Sequence, residues 1–511
     1  CACLVGSEMC IRDRNVNPIT RLDYPDPDVI RVEDTYYMVS TTMHFMPGCE
    51  ILQSFDLVHW EHVTYVYETL DHTDAQQLKS GQNIYGQGMW AASLRYHEGR
   101  FYICFVANDT RKTYLYTSEK IDGPWKKQLI EGFYHDGSLL FDEDGRNYIV
   151  YGNDEIWITE LNEDLTAPKK DGLHRLLVSD HKNPELGYEG SHIQKINGYY
   201  YIFLVHSLRD RWMRTEACFY SDSLEGEFTG GDVLCDDRGY CGQGVAQGGI
   251  VDTPDGKWYA MLFQDSGAVG RIPILLPVTW KDHFPIFGQN GHVPEEIEVH
   301  STRPGYIYQP LVGSDDFCNG LLPRWQFNHD PDPRYYHLDA LQGTYAITTR
   351  EVCTELTQAV NTLTQRMSYP SCAAEVTVDA SALKEGDVAG LCALQGCYAA
   401  VGITKHHGKY EVLMLDKKED GILDMTEGTV VESHQMDFRL EADFCNMKDE
   451  ARCYYRVNKG DWLPIGTVHK LYFKLDHFTG CRFGLFCYAA EETGGSACFR
   501  DFKYYDVDEI S

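Results

Sequence analysis

The sequence predicts an all-β chain whose first part is a five-bladed β-propeller. Three observations carry that reading. Within the first 260 residues, a tight acidic or glycine turn followed by an aromatic strand occurs five times. The copies stand about 46 to 65 residues apart, room for the four short strands of a propeller blade. Helix-period segments are scarce, and β-branched and aromatic alternation dominates.

Taken in chain order, Leu4 to Asp13 reads Leu-Val-Gly-Ser-Glu-Met-Cys-Ile-Arg-Asp, which resembles a transposon-type sequencing adapter translated in frame. Residues 1–14 are therefore read as extraneous, and a signal peptide is neither visible nor excluded. The five turns are Glu33-Asp34, Glu98-Gly99, Asp144-Gly145, Asn197-Gly198 and Asp255-Gly256. Each is a hairpin signal between two β-rich runs. The tyrosines that follow them, Tyr37, Tyr102, Tyr148, Tyr200 and Tyr259, are read as core. A second repeat supports the blades. Ser54 to Trp60, Ser118 to Trp125 and Ser221 to Phe228 each place a turn and then an aromatic after a strand.

A chain of 511 residues exceeds one core. The boundary falls between Gly288 and Gly313, a stretch with Pro294, Pro304, Pro310 and the acidic run Glu295-Glu296-Ile297-Glu298. Residues 15–300 are assigned to the propeller, 301–313 to a linker and 314–511 to a second domain. No run approaches the ~18 apolar residues of a membrane span. The net charge of −32 argues against nucleic acid and against an anionic membrane surface, and does not repel a neutral substrate. Outside residues 1–14, the 18 cysteines fall to 15, scattered and without zinc spacing. That pattern predicts a reducing, cytoplasmic setting. Oligomeric state is not readable from it.

Eleven or twelve residues before each repeated tyrosine stands a residue able to do chemistry: Asp26, Trp90, Asp136, Glu189 and Gln247. The inner strand of every blade lines the axis, so the repeat brings three carboxyls, a tryptophan and an amide to one point. Singly, Asp26 between prolines and Asp136 before Gly137 also read as turn residues, and Glu189 as a solvated loop acid. The shared offset argues for more. Glycoside hydrolysis needs one carboxyl protonated for the leaving oxygen and one ionised for water or attack. A third carboxylate nearby raises the acid's pKa.

These residues resemble glycoside hydrolase family 43. The resemblance rests on Tyr24-Pro-Asp-Pro-Asp28 with Asp34-Thr-Tyr-Tyr-Met38, on His135-Asp-Gly-Ser-Leu-Leu-Phe141 and on Tyr188-Glu-Gly-Ser-His192. It implies a five-bladed propeller hydrolysing xylan and arabinan side chains with inversion. It implies Asp26 as general base, Asp136 as the carboxylate that tunes the acid, and Glu189 as general acid. Trp90 and Arg271 match pocket positions, and Met43 stands where the β-xylosidase subgroup has a phenylalanine. Many members carry a histidine that helps hold calcium. The matching stretch here is Val245-Ala-Gln-Gly-Gly249, so a calcium ion at the propeller centre would draw on the hard oxygen of Gln247. The chemistry itself needs no cofactor. Trp325 to Pro333 and Leu383 to Leu391 resemble the subgroup's C-terminal concanavalin-like β-sandwich, in which a loop closes the pocket; Phe478 is the candidate for that contact.

The resemblance thus implies an exo-acting glycosidase that releases terminal β-D-xylose or α-L-arabinofuranose from oligosaccharides. An endo-arabinanase on the same fold needs an open groove, which the sandwich would partly block. A non-catalytic carbohydrate-binding propeller would have lost an axial carboxylate, and all three are present.

Overall fold

The computed structural model describes residues 15–506, so the adapter reading lies outside the described residues. Five four-stranded antiparallel sheets follow one another in sequence. Their inner strands are Asp28–Val32, Met89–His97, Ser138–Phe141, Glu189–Ile196 and Val245–Asp252. Their outer strands are Glu61–Tyr67, Lys126–Ile130, His174–Ser179, Thr229–Leu234 and Phe284–Phe287. In each blade the first two strands form the hairpin read from the repeat. The turns need left-handed backbone, which Gly99, Gly145, Gly198 and Gly256 adopt at φ 76° to 84°. Of the repeated tyrosines, Tyr148, Tyr200 and Tyr259 are buried. Tyr37 and Tyr102 are only half-buried, packing against Phe101 and Phe141 at blade seams. Trp60 and Phe228 of the second repeat are buried and Trp125 is half-buried, each within a hydrophobic cluster.

The ring closes in two ways. Near the axis, Arg95 of blade 2 reaches across the inner strands. It donates to Asp28 of blade 1 at 2.8 Å, to Ser138 of blade 3 at 2.7 Å and to the Ile193 carbonyl of blade 4 at 3.2 Å. His192 meets the other oxygen of Asp28 at 3.1 Å. At the perimeter, Asn17 donates its backbone N–H to Glu295, and Ile297 donates to Asn15. Ile297 and Val299 then enter the core shared by blades 1 and 5. Residues 301–313 are packed too: Tyr306 and Tyr308 lie on Phe55, and the Gln309 N–H binds Glu61.

Beyond them lies a two-sheet sandwich. One sheet of seven strands centres on Ser371–Asp379 and Ser496–Asp506; the other, of nine, on Asp387–Leu394 and Arg482–Ala489. Trp325, Tyr345, Phe438, Phe483 and Phe499 fill the core between them. The nine-stranded sheet recruits a propeller strand, Phe45–Met46, which pairs with Gln326–Asn328. Ala268, Val269 and Ile272 of blade 5 belong to the sandwich core as well. Burying a valine or isoleucine fully stabilises by about 1.5–3 kcal/mol, so the interface resembles core rather than a transient contact.

Candidate active site

Each predicted residue sits where an inner strand begins, on strained or bulged backbone. Asp26, Asp136 and Gln247 have φ of 53°, 48° and 64°, and Gly190 after Glu189 has 66°. The ladders slip between Trp90 and Ser93, Glu189 and His192, and Ala246 and Gly249. A bulge of this kind re-aims a side chain, and left-handed backbone on a non-glycine residue costs roughly 1–3 kcal/mol. The strain is met where the chemistry is.

Asp26 is 6% exposed, and both its oxygens are held. Thr41 Oγ1 donates to one at 2.5 Å, and Arg271 Nη1 to the other at 3.1 Å. Thr41 is itself fixed by the Ala91 N–H at 2.8 Å. Asp136 accepts the Gly190 N–H at 2.9 Å, which ties it to the turn carrying Glu189. Glu189 accepts Asn153 Nδ2 at 2.8 Å. His135 stands between these two acids, its Nε2 3.5 Å from each. The three side chains come within 4.8 Å of one another.

Burial and charge act on Asp136 and His135. Burial pushes the Asp136 carboxyl up to about 6; His135 opposes the rise, while Glu189 and Asp26 add to it. His135 is pushed up to about 9, first by Asp136 against the opposition of burial, then by Glu189 and Asp26. At neutral pH the cluster therefore holds an imidazolium between two carboxyl groups.

The sandwich supplies the fourth wall. Phe478, at φ 54°, lies with its ring 4.2 Å from the Arg271 guanidinium and 5.5 Å from Trp90. Its loop is bolted to the propeller. Asp23 accepts the Arg271 N–H at 2.7 Å with one oxygen and the Gly480 N–H at 2.8 Å with the other. The Cys481 N–H binds the Ala268 carbonyl at 2.8 Å. One carboxylate thus fixes both the pocket arginine and the loop that closes over it.

Two predicted residues stand differently. Met43 is buried at the seam of blades 1 and 2, joined through both backbone groups to Met89. Gln247 packs its side chain against Gly190, while its N–H binds Glu216. The donors at the centre do not fit calcium. Asp28, the axial carboxylate, is engaged by Arg95 and His192, and a guanidinium reaches across the ground a divalent ion would need.

His135, Asn153, Thr41 and Asp23 were not singled out by the repeat. His135 adjoins Asp136 in the quoted motif, so adjacency was its signal. Asn153 ends the strand Asn147–Asn153 and reaches the acid from outside the shared offset.

The sequence profile of Glycosyl hydrolases family 43 matches residues 16–285, and that of a Beta xylosidase C-terminal Concanavalin A-like domain matches 314–505. A Beta-xylosidase of Formosa agariphila is 27% identical over 96% of this chain and 89% of its own length. A non-reducing end alpha-L-arabinofuranosidase of Bacteroides ovatus is 24% identical over 80% and 79%. A solved structure of a bifunctional GH43-CE from Bacteroides eggerthii is 42% identical with a TM-score of 0.91; the match covers 98% of this chain and 64% of that one.

Proposed function

The chain belongs to glycoside hydrolase family 43, and we propose that it removes single β-D-xylose or α-L-arabinofuranose units from the non-reducing ends of oligosaccharides. The family's chemistry is inverting and needs no cofactor. In this reading Asp26 takes a proton from water as its oxygen attacks the anomeric carbon. The bond to the leaving oxygen breaks, and Glu189 gives that oxygen its proton. Thr41 and Arg271 aim Asp26, and Asn153 aims Glu189. Asp136, joined to the Gly190 N–H, holds the turn that carries the acid.

The observation that carries the exo reading is the closure of the pocket. Phe478 from the sandwich lies against Arg271 and Trp90, which supports a site that accepts a chain end rather than a groove that takes a continuous chain. The names of the two curated relatives support pentosides of both kinds. The purified protein should be assayed against aryl β-D-xyloside, aryl α-L-arabinofuranoside and linear arabinan. Release of pentose from either aryl glycoside, with arabinan shortened only from its ends, is expected. Internal cleavage of arabinan with no activity on either aryl glycoside would overturn the proposal.

A further inference from the structure

Arg214 is a buried charged group near the pocket that the mechanism leaves unused. It opens the strand Arg214–Ser221 in the blade of Glu189 and crosses to blade 5. Its Nε donates to Asp265 at 2.8 Å, and its side chain is 7% exposed. Among the described residues its two terminal nitrogens have no partner. Burial opposes its charge, Asp265 restores it, and Glu189 and Asp26 act on it as well. The guanidinium therefore lies within the field of both the acid and the base. An arginine needed only to join two blades would present both faces of its fork to protein, and this one satisfies a single nitrogen.

Its ring neighbours give it a direction. The guanidinium carbon is 5.2 Å from the Phe263 ring and 5.2 Å from the Trp212 ring. Phe263 in turn lies 5.4 Å from the Arg271 guanidinium. A line of groups thus runs from Arg271, which holds the base, through Phe263 and Arg214 to Trp212. Trp212 is 43% exposed, in the loop between the strands Tyr199–Ser207 and Arg214–Ser221. Val205, near the start of that loop, pairs with Glu189, so the loop rises beside the acid. An exposed indole offers a flat apolar face, and a buried fork with two free N–H edges fits a pair of neighbouring hydroxyls.

We propose that Arg214 and Trp212 form the binding site for the sugar on the leaving side of the scissile bond, Arg214 holding two adjacent hydroxyl oxygens and Trp212 stacking on the ring. The inference rests on the pentosidase reading above and adds to it the residues that select a sugar aglycone. The enclosed side of the pocket, walled by Trp90, Phe478 and Arg271, takes the pentose to be released. The line toward Trp212 leaves that enclosure on the flank of Glu189, where the leaving oxygen must stand.

The test compares xylobiose with β-D-xylosyl fluoride, which has no ring on the leaving side. Wild-type hydrolysis of the fluoride is read first; its failure, together with failure on the arabinofuranosyl analogue, would count against the pentosidase reading itself. Arg214→Lys keeps a charge beside Asp265 and loses the fork. Trp212→Ala alters an exposed side chain and should fold. Each is expected to lose about 10- to 100-fold more kcat/KM on the disaccharide than on the fluoride, chiefly through KM. Equal losses on the two substrates, or no loss on the disaccharide from Trp212→Ala, would make Arg214 a tie between blades and overturn the inference.

Discussion

Replacing His135 with asparagine should move the pH–rate profile upward and remove a pH dependence of stability. His135 is held protonated to about 9 against an ordinary value near 6.5, an excess worth about 3 kcal/mol at ~1.36 per pH unit. The same attraction favours the ionised form of Asp136, whose rise to about 6 His135 opposes. A neutral asparagine removes that opposition, so Asp136 keeps its proton to a higher pH. The limb of the kcat profile that follows Asp136 should move to higher pH with it. The limbs belong to the coupled cluster rather than to single residues. Stability changes in step. A group whose pKa is raised on folding stabilises fully below its unfolded value and loses that contribution as pH rises through the folded one. Wild-type protein should therefore lose thermal stability between about pH 6.5 and 9, and the variant should not show that loss. The assay is kcat on an aryl pentoside from pH 4 to 10, with thermal midpoints at the same values. Unchanged limbs in a folded variant would mean that His135 carries no charge between the acids.

Phe478→Ala removes the ring beside Arg271, Trp90 and Phe473. At about 1–2 kcal/mol for these contacts, KM on short substrates should rise about 5- to 30-fold while the thermal midpoint falls by a few degrees at most; an unchanged KM would remove Phe478 from the pocket. A chain ending at Gly313 would expose Ala268, Val269 and Ile272 and strip Asp23 of Gly480, so it should be insoluble or nearly inactive. Full activity from that truncated protein would show the pocket complete without the sandwich. Chelator should change neither activity nor thermal midpoint, since Arg95 and His192 engage the axial carboxylate; loss of activity restored by calcium would contradict that reading of the centre. Proton NMR of the first-formed sugar should show the inverted anomer, and a retained anomer would exclude Asp26 as a base acting on water.

The blades were legible because a propeller repeats in sequence what it repeats in space. An offset of 11 or 12 residues from turn tyrosine to strand start is one hairpin arm, so five arms fixed five axial positions. The axial position of Asp26, Asp136 and Glu189 followed from that arithmetic. What escaped it arises between blades. Asn153 reaches Glu189 from the far end of a second strand, and Arg214 reaches blade 5 from blade 4; no single repeat encodes either. Gln247 reads as a metal donor in isolation, but Arg95, more than 150 residues earlier, reaches across the same axis. The even treatment of the five tyrosines also failed at Tyr37 and Tyr102, where neighbouring blades leave the ring edge open. Phe478 lies on a loop with no repeat at all, and only the resemblance of the second domain pointed to it.

The central claim is the division of labour between Asp26 and Glu189. It is tested most directly by leaving-group dependence in two variants, each measured on a dinitrophenyl pentoside, whose leaving group needs no proton, and on xylobiose, whose leaving group does. Glu189→Ala should keep most of its rate on the activated substrate and lose at least about 1,000-fold on xylobiose, while Asp26→Ala should lose both. Equal loss of the two substrates in Glu189→Ala, or turnover of the activated one by Asp26→Ala, would contradict the assignment.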